Sequence, residues 1–272
     1  MRKDLLISLV LLGFGILFAF LLPFHGTAGG APVTSEITSH IVWALSLGQT
    51  VLYIIASTLV FQAVFRIKQL GGIIGISLKT LSIGLIFFGI GQGQIAVLDE
   101  FNLWSSWYVN TGAYYLLYII SLALMLFGLF VAANKYSKTA KIPIILITLI
   151  YVALIVILMS LHHPANVYLG RTQSQFNIAI LINSLLVCLP LGLFLYSLQL
   201  IKAFSNSIIG RTYIYLSIPC LLVLLTGISA IYFEIIAGWP DWYLSSGLAY
   251  LPYILISFSF VLFGFRLKYI KI

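Results

Sequence analysis

The chain has 272 residues, 62% of them hydrophobic and 7% charged, with a mean hydropathy of +1.14 and a formal net charge of +8. Soluble domains carry about 25% charged residues, so this composition excludes a water-soluble globular protein and places the chain in a bilayer. The positive balance does not mark a nucleic-acid binder, because the basic residues gather at span ends, as shown below.

Runs of about 20 apolar residues cross the hydrocarbon core as helices, since lipid offers the backbone no other partner. Eight such runs occur, at 5–23, 41–65, 80–98, 112–134, 142–161, 176–201, 212–233 and 245–265, none containing Asp, Glu, Lys, Arg or His. The first follows MRKD and precedes the small residues HGTAGGA, as in a signal peptide. Its apolar core is longer than the usual ~7–15 residues, so it reads as a retained helix. It closes on Pro23-Phe24-His25, and His40 opens the second span.

The third span carries Gly89-Ile90-Gly91-Gln92-Gly93-Gln94, a pattern that permits close packing or a kink. It is no phosphate loop, lacking the strand and the Lys. Asp99 and Glu100 follow, then WYVNTGAYY at 107–115 leads into the fourth span. His162 and His163 close the fifth span. The seventh ends at Glu234, and WYLSSGLAY at 242–250 leads into the eighth. Cys188 and Cys220 fall inside spans and read as small buried hydrophobes.

The two WY segments match at Trp107/Trp242, Tyr108/Tyr243, Gly112/Gly247 and Tyr115/Tyr250. Tyr118/Tyr253 and Phe127-Gly128/Phe263-Gly264 extend the likeness. The expected fold is therefore all-α and polytopic: eight transmembrane helices in two tandem parallel four-helix repeats, residues 1–138 and 139–272. Trp and Tyr of these segments suit the membrane interface. Asn110-Thr111 and Ser245-Ser246 suit helix capping, and Gly112 and Gly247 suit close helix approach. A second reading makes the paired segments a lateral lip for a lipid-soluble ligand such as a quinone.

With eight spans, Arg2, Lys3, Arg66, Lys68, Lys79, Lys135, Lys138, Lys141, Lys202, Arg211, Arg266, Lys268 and Lys271 share one side and Arg171 alone lies opposite. The positive-inside rule then places both termini in the cytoplasm of a cell-membrane protein. Asp4 is the one acid on the basic side.

No Ser-His-Asp set, Walker motif or zinc-protease motif occurs, which fits a non-catalytic subunit. The histidines offer the most suggestive chemistry. His25, His40, His162 and His163 all lie at the outer boundary, where imidazoles from the two halves can be candidate axial ligands of a haem b; an interfacial His also sits there without a ligand. Glu100 and Glu234 form a candidate polar pair for a cation or proton relay, or are solvated interface residues. Gln49, Gln92, Gln94, Asn183 and Gln199 can hydrogen-bond between helices.

Size, hydrophobicity and outer-face histidines resemble those of the hydrophobic B subunit that accompanies archaeal b-type cytochromes. That resemblance implies a respiratory electron-transfer subunit, anchoring an extracytoplasmic redox partner and holding haem or quinone near the outer face. The alternative is a permease with two four-helix halves for a small apolar or neutral substrate; the tandem repeat favours it, whereas spans free of charge count against it unless the substrate is apolar.

Overall fold

The computed structural model describes residues 36–66, 72–100, 111–160, 172–205, 207–237 and 251–268. The described chain is helical, without strands: α1 (Glu36–Arg66), α2 (Gly72–Glu100), α3 (Leu116–Tyr136), α4 (Lys141–Ser160), α5 (Gln173–Ala203), α6 (Ile208–Ile231) and α7 (Leu251–Lys268). Seven helices among the described residues are long and apolar enough to cross a membrane. The first expected span, 5–23, lies outside the described residues.

Observed boundaries depart from the apolar runs where a charged residue is tolerated. The second described helix begins at Gly72 rather than at residue 80, so Lys79 lies within α2. It is exposed, and its long stem lets the ammonium reach the membrane surface from inside a helix. Before α3, the chain turns through a 3₁₀ segment, Ala113–Tyr115. Gly112 enters it at φ 71°, with its carbonyl accepting the Tyr115 N–H at 2.9 Å.

This corrects the role expected for Gly112; Asn110, expected to cap, lies outside the described residues. The N-cap of the 3₁₀ turn is Gly112 itself, which has no side chain to offer, and α3 starts at Leu116 with no side-chain cap on its N-cap Tyr115. A Cβ on Gly112 would meet only ordinary contacts, the nearest at 3.6 Å. The glycine is therefore required by its left-handed backbone rather than by close helix approach.

Six helices close into a ring in the order α1, α2, α3, α5, α6, α7 and back to α1. One continuous core fills it. Tyr53, Val60, Leu81, Leu85, Met125, Leu129, Tyr196, Leu216 and Phe260 contribute from all six. α4 lies outside the ring against α5. Only 17% of its span is buried, against 44–56% for the other six.

Between helices that face lipid on their outer surfaces, packing and hydrogen bonds replace the hydrophobic drive. Ser57 and Ser82 join α1 to α2 reciprocally: each hydroxyl reaches the other's carbonyl, at 2.9 and 3.1 Å, and the hydroxyls lie 2.8 Å apart. Ser121 of α3 donates to Gly84 O of α2 at 2.7 Å. Where α5 meets α6, Pro190 has no N–H for the Leu186 carbonyl one turn earlier. Gly227 packs against that carbonyl so closely that a Cβ would lie 2.4 Å from its oxygen.

The hairpins define two ends of the bundle. Arg66, Lys135, Lys141, Lys202, Arg211, Arg266 and Lys268 lie at or near helix termini of one end, the basic end. Glu36, Glu100 and Glu234 occupy helix termini at the other, the acidic end.

Candidate functional site

Most residues singled out for chemistry lie outside the described residues: His25, His162, His163, Trp107, Tyr108, Trp242 and Tyr243. Three have a described backbone. His40 sits in the first turns of α1, Glu100 ends α2, and Glu234 lies in a π-helical turn, Tyr232–Ala237, that follows α6. All three fall at the acidic end in chain order. Among the described residues, no group of three or more His, Cys, Asp or Glu gathers as a metal site. Cys188 and Cys220 are buried free thiols.

The span glutamines and asparagine divide into two groups. Three bond between segments. Gln92 Oε1 of α2 accepts from Tyr118 OH of α3 at 2.8 Å, Gln94 Nε2 donates to Tyr114 O, and Gln199 Nε2 of α5 donates to Thr139 O at 3.0 Å. The other two do not bridge helices through any bond in the described structure. Asn183 returns its Nδ2 to Ala179 O within α5 at 3.0 Å, and its Oδ1 has no partner among the described residues. Gln49 is 2% exposed, and neither end of its amide has a partner among the described residues.

Gln49 is not isolated. Ser46 Oγ and Tyr53 OH, both fully buried, are likewise unpartnered among the described residues. Positions 46, 49 and 53 follow the i, i+3, i+7 spacing of one helix face. That face turns into the ring.

Aromatic rings wall the same place. The Tyr53 ring lies 4.9 Å from Phe88 of α2 and 6.1 Å from Phe260 of α7, and Phe88 stands edge-on to Tyr118 at 4.8 Å. Thus α1, α2, α3 and α7 converge on an interior that is aromatic, uncharged and rich in hydroxyl and amide groups, in the acidic half of the ring.

No family model matches the chain, and no curated protein or solved structure is significantly similar to it.

A buried polar atom without a hydrogen bond costs about 1–3 kcal/mol, and native interiors contain few. Ser46 Oγ, both ends of the Gln49 amide and Tyr53 OH are four such atoms on one helix face, without a partner among the described residues. Gln49 presents both a donor and an acceptor, while Ser46 and Tyr53 can each do either. With no carboxylate or ammonium among the residues just named, the arrangement suits a neutral guest with hydrogen-bonding groups and an apolar or flat body. Sequence reasoning found Gln49, Gln92 and Asn183 but missed Ser46 and Tyr53. The signal was available in the spacing Ser46, Gln49, Tyr53, which puts three polar residues on a single face of an otherwise apolar span.

Proposed function

We propose that this multi-pass membrane protein binds a small uncharged molecule in the acidic half of its six-helix ring, and that it is a permease for a neutral substrate. The observation that carries this reading is the inward stripe Ser46, Gln49 and Tyr53, buried and unpartnered among the described residues. The test is uptake into proteoliposomes of a panel of neutral solutes (urea, glycerol, short amides) beside charged ones. Uptake of one neutral class, lost in Gln49→Leu, supports the reading. Equal rates in protein-free vesicles for the whole panel refute it.

A second reading is the respiratory electron-transfer subunit, with haem b or quinone at the acidic end and an extracytoplasmic redox partner. Its supporting observation is that His40 belongs to the helix end that shares the acidic end with Glu100 and Glu234. Purified protein would then show a reducible Soret band lost in His25→Ala or in the His162→Ala, His163→Ala double variant. A colourless preparation from haem-replete cells removes the haem.

For the architecture, we read the ring as two related halves. Helices α1–α2–α3 and α5–α6–α7 follow the same order, and α3 meets α5 as α7 meets α1. On this reading the segment 5–23 is the counterpart of α4. The equivalence is one of order more than of contact, because Gly128 packs on Ser77 and Thr80 of α2 whereas Gly264 packs on Ala56 and Leu59 of α1. The basic end is read as cytoplasmic, with both termini inside.

A further inference from the structure

At the basic end, α6 and α7 carry a pair of arginines, Arg211 and Arg266. The Arg266 guanidinium of α7 lies over the Tyr215 ring of α6, 4.4 Å from its centroid, and its Nη2 donates to Tyr215 OH. The side chain is thus fixed in place by a neighbouring helix, using one of its five N–H donors. Arg211 stands one turn before Tyr215 on α6 and is exposed.

The face of α6 that holds Arg211 and Tyr215 continues through Ile214, Ile218, Leu221 and Leu225, each of them exposed. These positions keep a helical stripe running from the basic end toward the middle of the bundle. The stripe is apolar along its length and cationic at its tip. No Asp or Glu ion pair occurs at either arginine among the described residues, and Asp4 is the one acid that the chain order assigns to this end.

We propose that Arg211 and Arg266 form a specific binding site for the head group of an anionic phospholipid, whose acyl chain lies along Ile214, Ile218 and Leu221. The chemistry follows from the parts. A guanidinium held over a ring by one N–H keeps its other N–H groups available for two phosphate oxygens, and Arg recognises phosphate in this forked way where Lys acts as a point charge. Basic residues at a membrane surface attract anionic lipids generally. Two arginines capping a lipid-facing apolar stripe, one of them pinned by a tyrosine, localise that attraction.

Native mass spectrometry and thermal unfolding of the detergent-purified full chain test this, with phosphatidylglycerol as the probe. Phosphatidylcholine and inorganic phosphate are the comparison arms. The expected result is a retained phosphatidylglycerol adduct and a raised unfolding midpoint in the wild type, with neither produced by the comparison arms. Affinity should fall about fivefold in Arg211→Gln and again in Arg266→Gln, while the Lys135→Gln, Lys138→Gln double variant keeps it. Arg211 is exposed, so its variant folds whatever Arg266→Gln does. Equal loss in the lysine double variant would show diffuse attraction and overturn the site, as would equal binding of phosphatidylcholine. Stabilisation by inorganic phosphate to the same degree would overturn the lipid as its occupant.

Discussion

Gln49 and Gln92 look alike in the sequence, each a single amide in an apolar run, yet the fold treats them oppositely. Gln92 satisfies the Tyr118 hydroxyl, so Gln92→Leu strands a buried O–H and should destabilise the detergent-solubilised protein by about 1–3 kcal/mol. Gln49 has no protein partner among the described residues. Gln49→Leu removes an unpaired amide while filling similar volume, so unfolding should shift to higher temperature even as neutral-solute uptake is lost. Stability and function would then move in opposite directions at one position, as expected of a site maintained at a stability cost. Differential scanning fluorimetry of the two variants reads this directly. Destabilisation of Gln49→Leu as large as that of Gln92→Leu would mean the Gln49 amide has a structural partner.

At the scale of helices, close contact is concentrated where a backbone has something to hide. Pro190 leaves the Leu186 carbonyl without its usual donor, and Gly227 covers it. Gly227→Ala presses a methyl group against backbone that cannot rotate away, and overpacking of this kind costs about 1–3 kcal/mol. Gly75→Ala in α2 meets nothing within 4 Å and should be neutral or stabilising by about 0.5–1 kcal/mol through helix propensity. Comparing the two unfolding midpoints separates a packing glycine from an incidental one.

The helices themselves were legible because uncharged runs of this length have a single solution in lipid. Their ends were less so. Lys79 was read as a boundary, although a snorkelling lysine sits two turns inside α2. Gly112 was read as a packing residue, although its need is a positive φ, which a sequence does not display. The interior site was half legible: the glutamines stood out, but Tyr53 and Ser46 become notable only once α1 is known to turn that face into a ring.

Over the whole molecule, the fold separates two kinds of polarity. Among the described residues, charge sits at or near the helix ends apart from Lys79, which is exposed two turns inside α2, and the ring interior holds neutral donors and acceptors. The asymmetry of basic residues predicts orientation: single cysteines at 136–140 should label only from the cytoplasmic side in intact cells, and labelling there from outside would reverse the topology. α4, largely unburied and outside the ring, is expected to contribute little to the interior, so polar-to-apolar changes along its exposed face, such as Thr148→Val, should leave uptake unchanged.

The central claim is that the inward face of α1 is reachable by small polar molecules from the acidic end. Cysteine accessibility measures this most directly. In a background with Cys188 and Cys220 replaced by Ala, Ser46→Cys and Gln49→Cys should react with a small membrane-impermeant thiol reagent added at the acidic end. Leu59→Cys and Leu81→Cys, deeper in the same ring, should stay silent. Failure of both Ser46→Cys and Gln49→Cys to react from that end, in protein that still folds, would contradict the account.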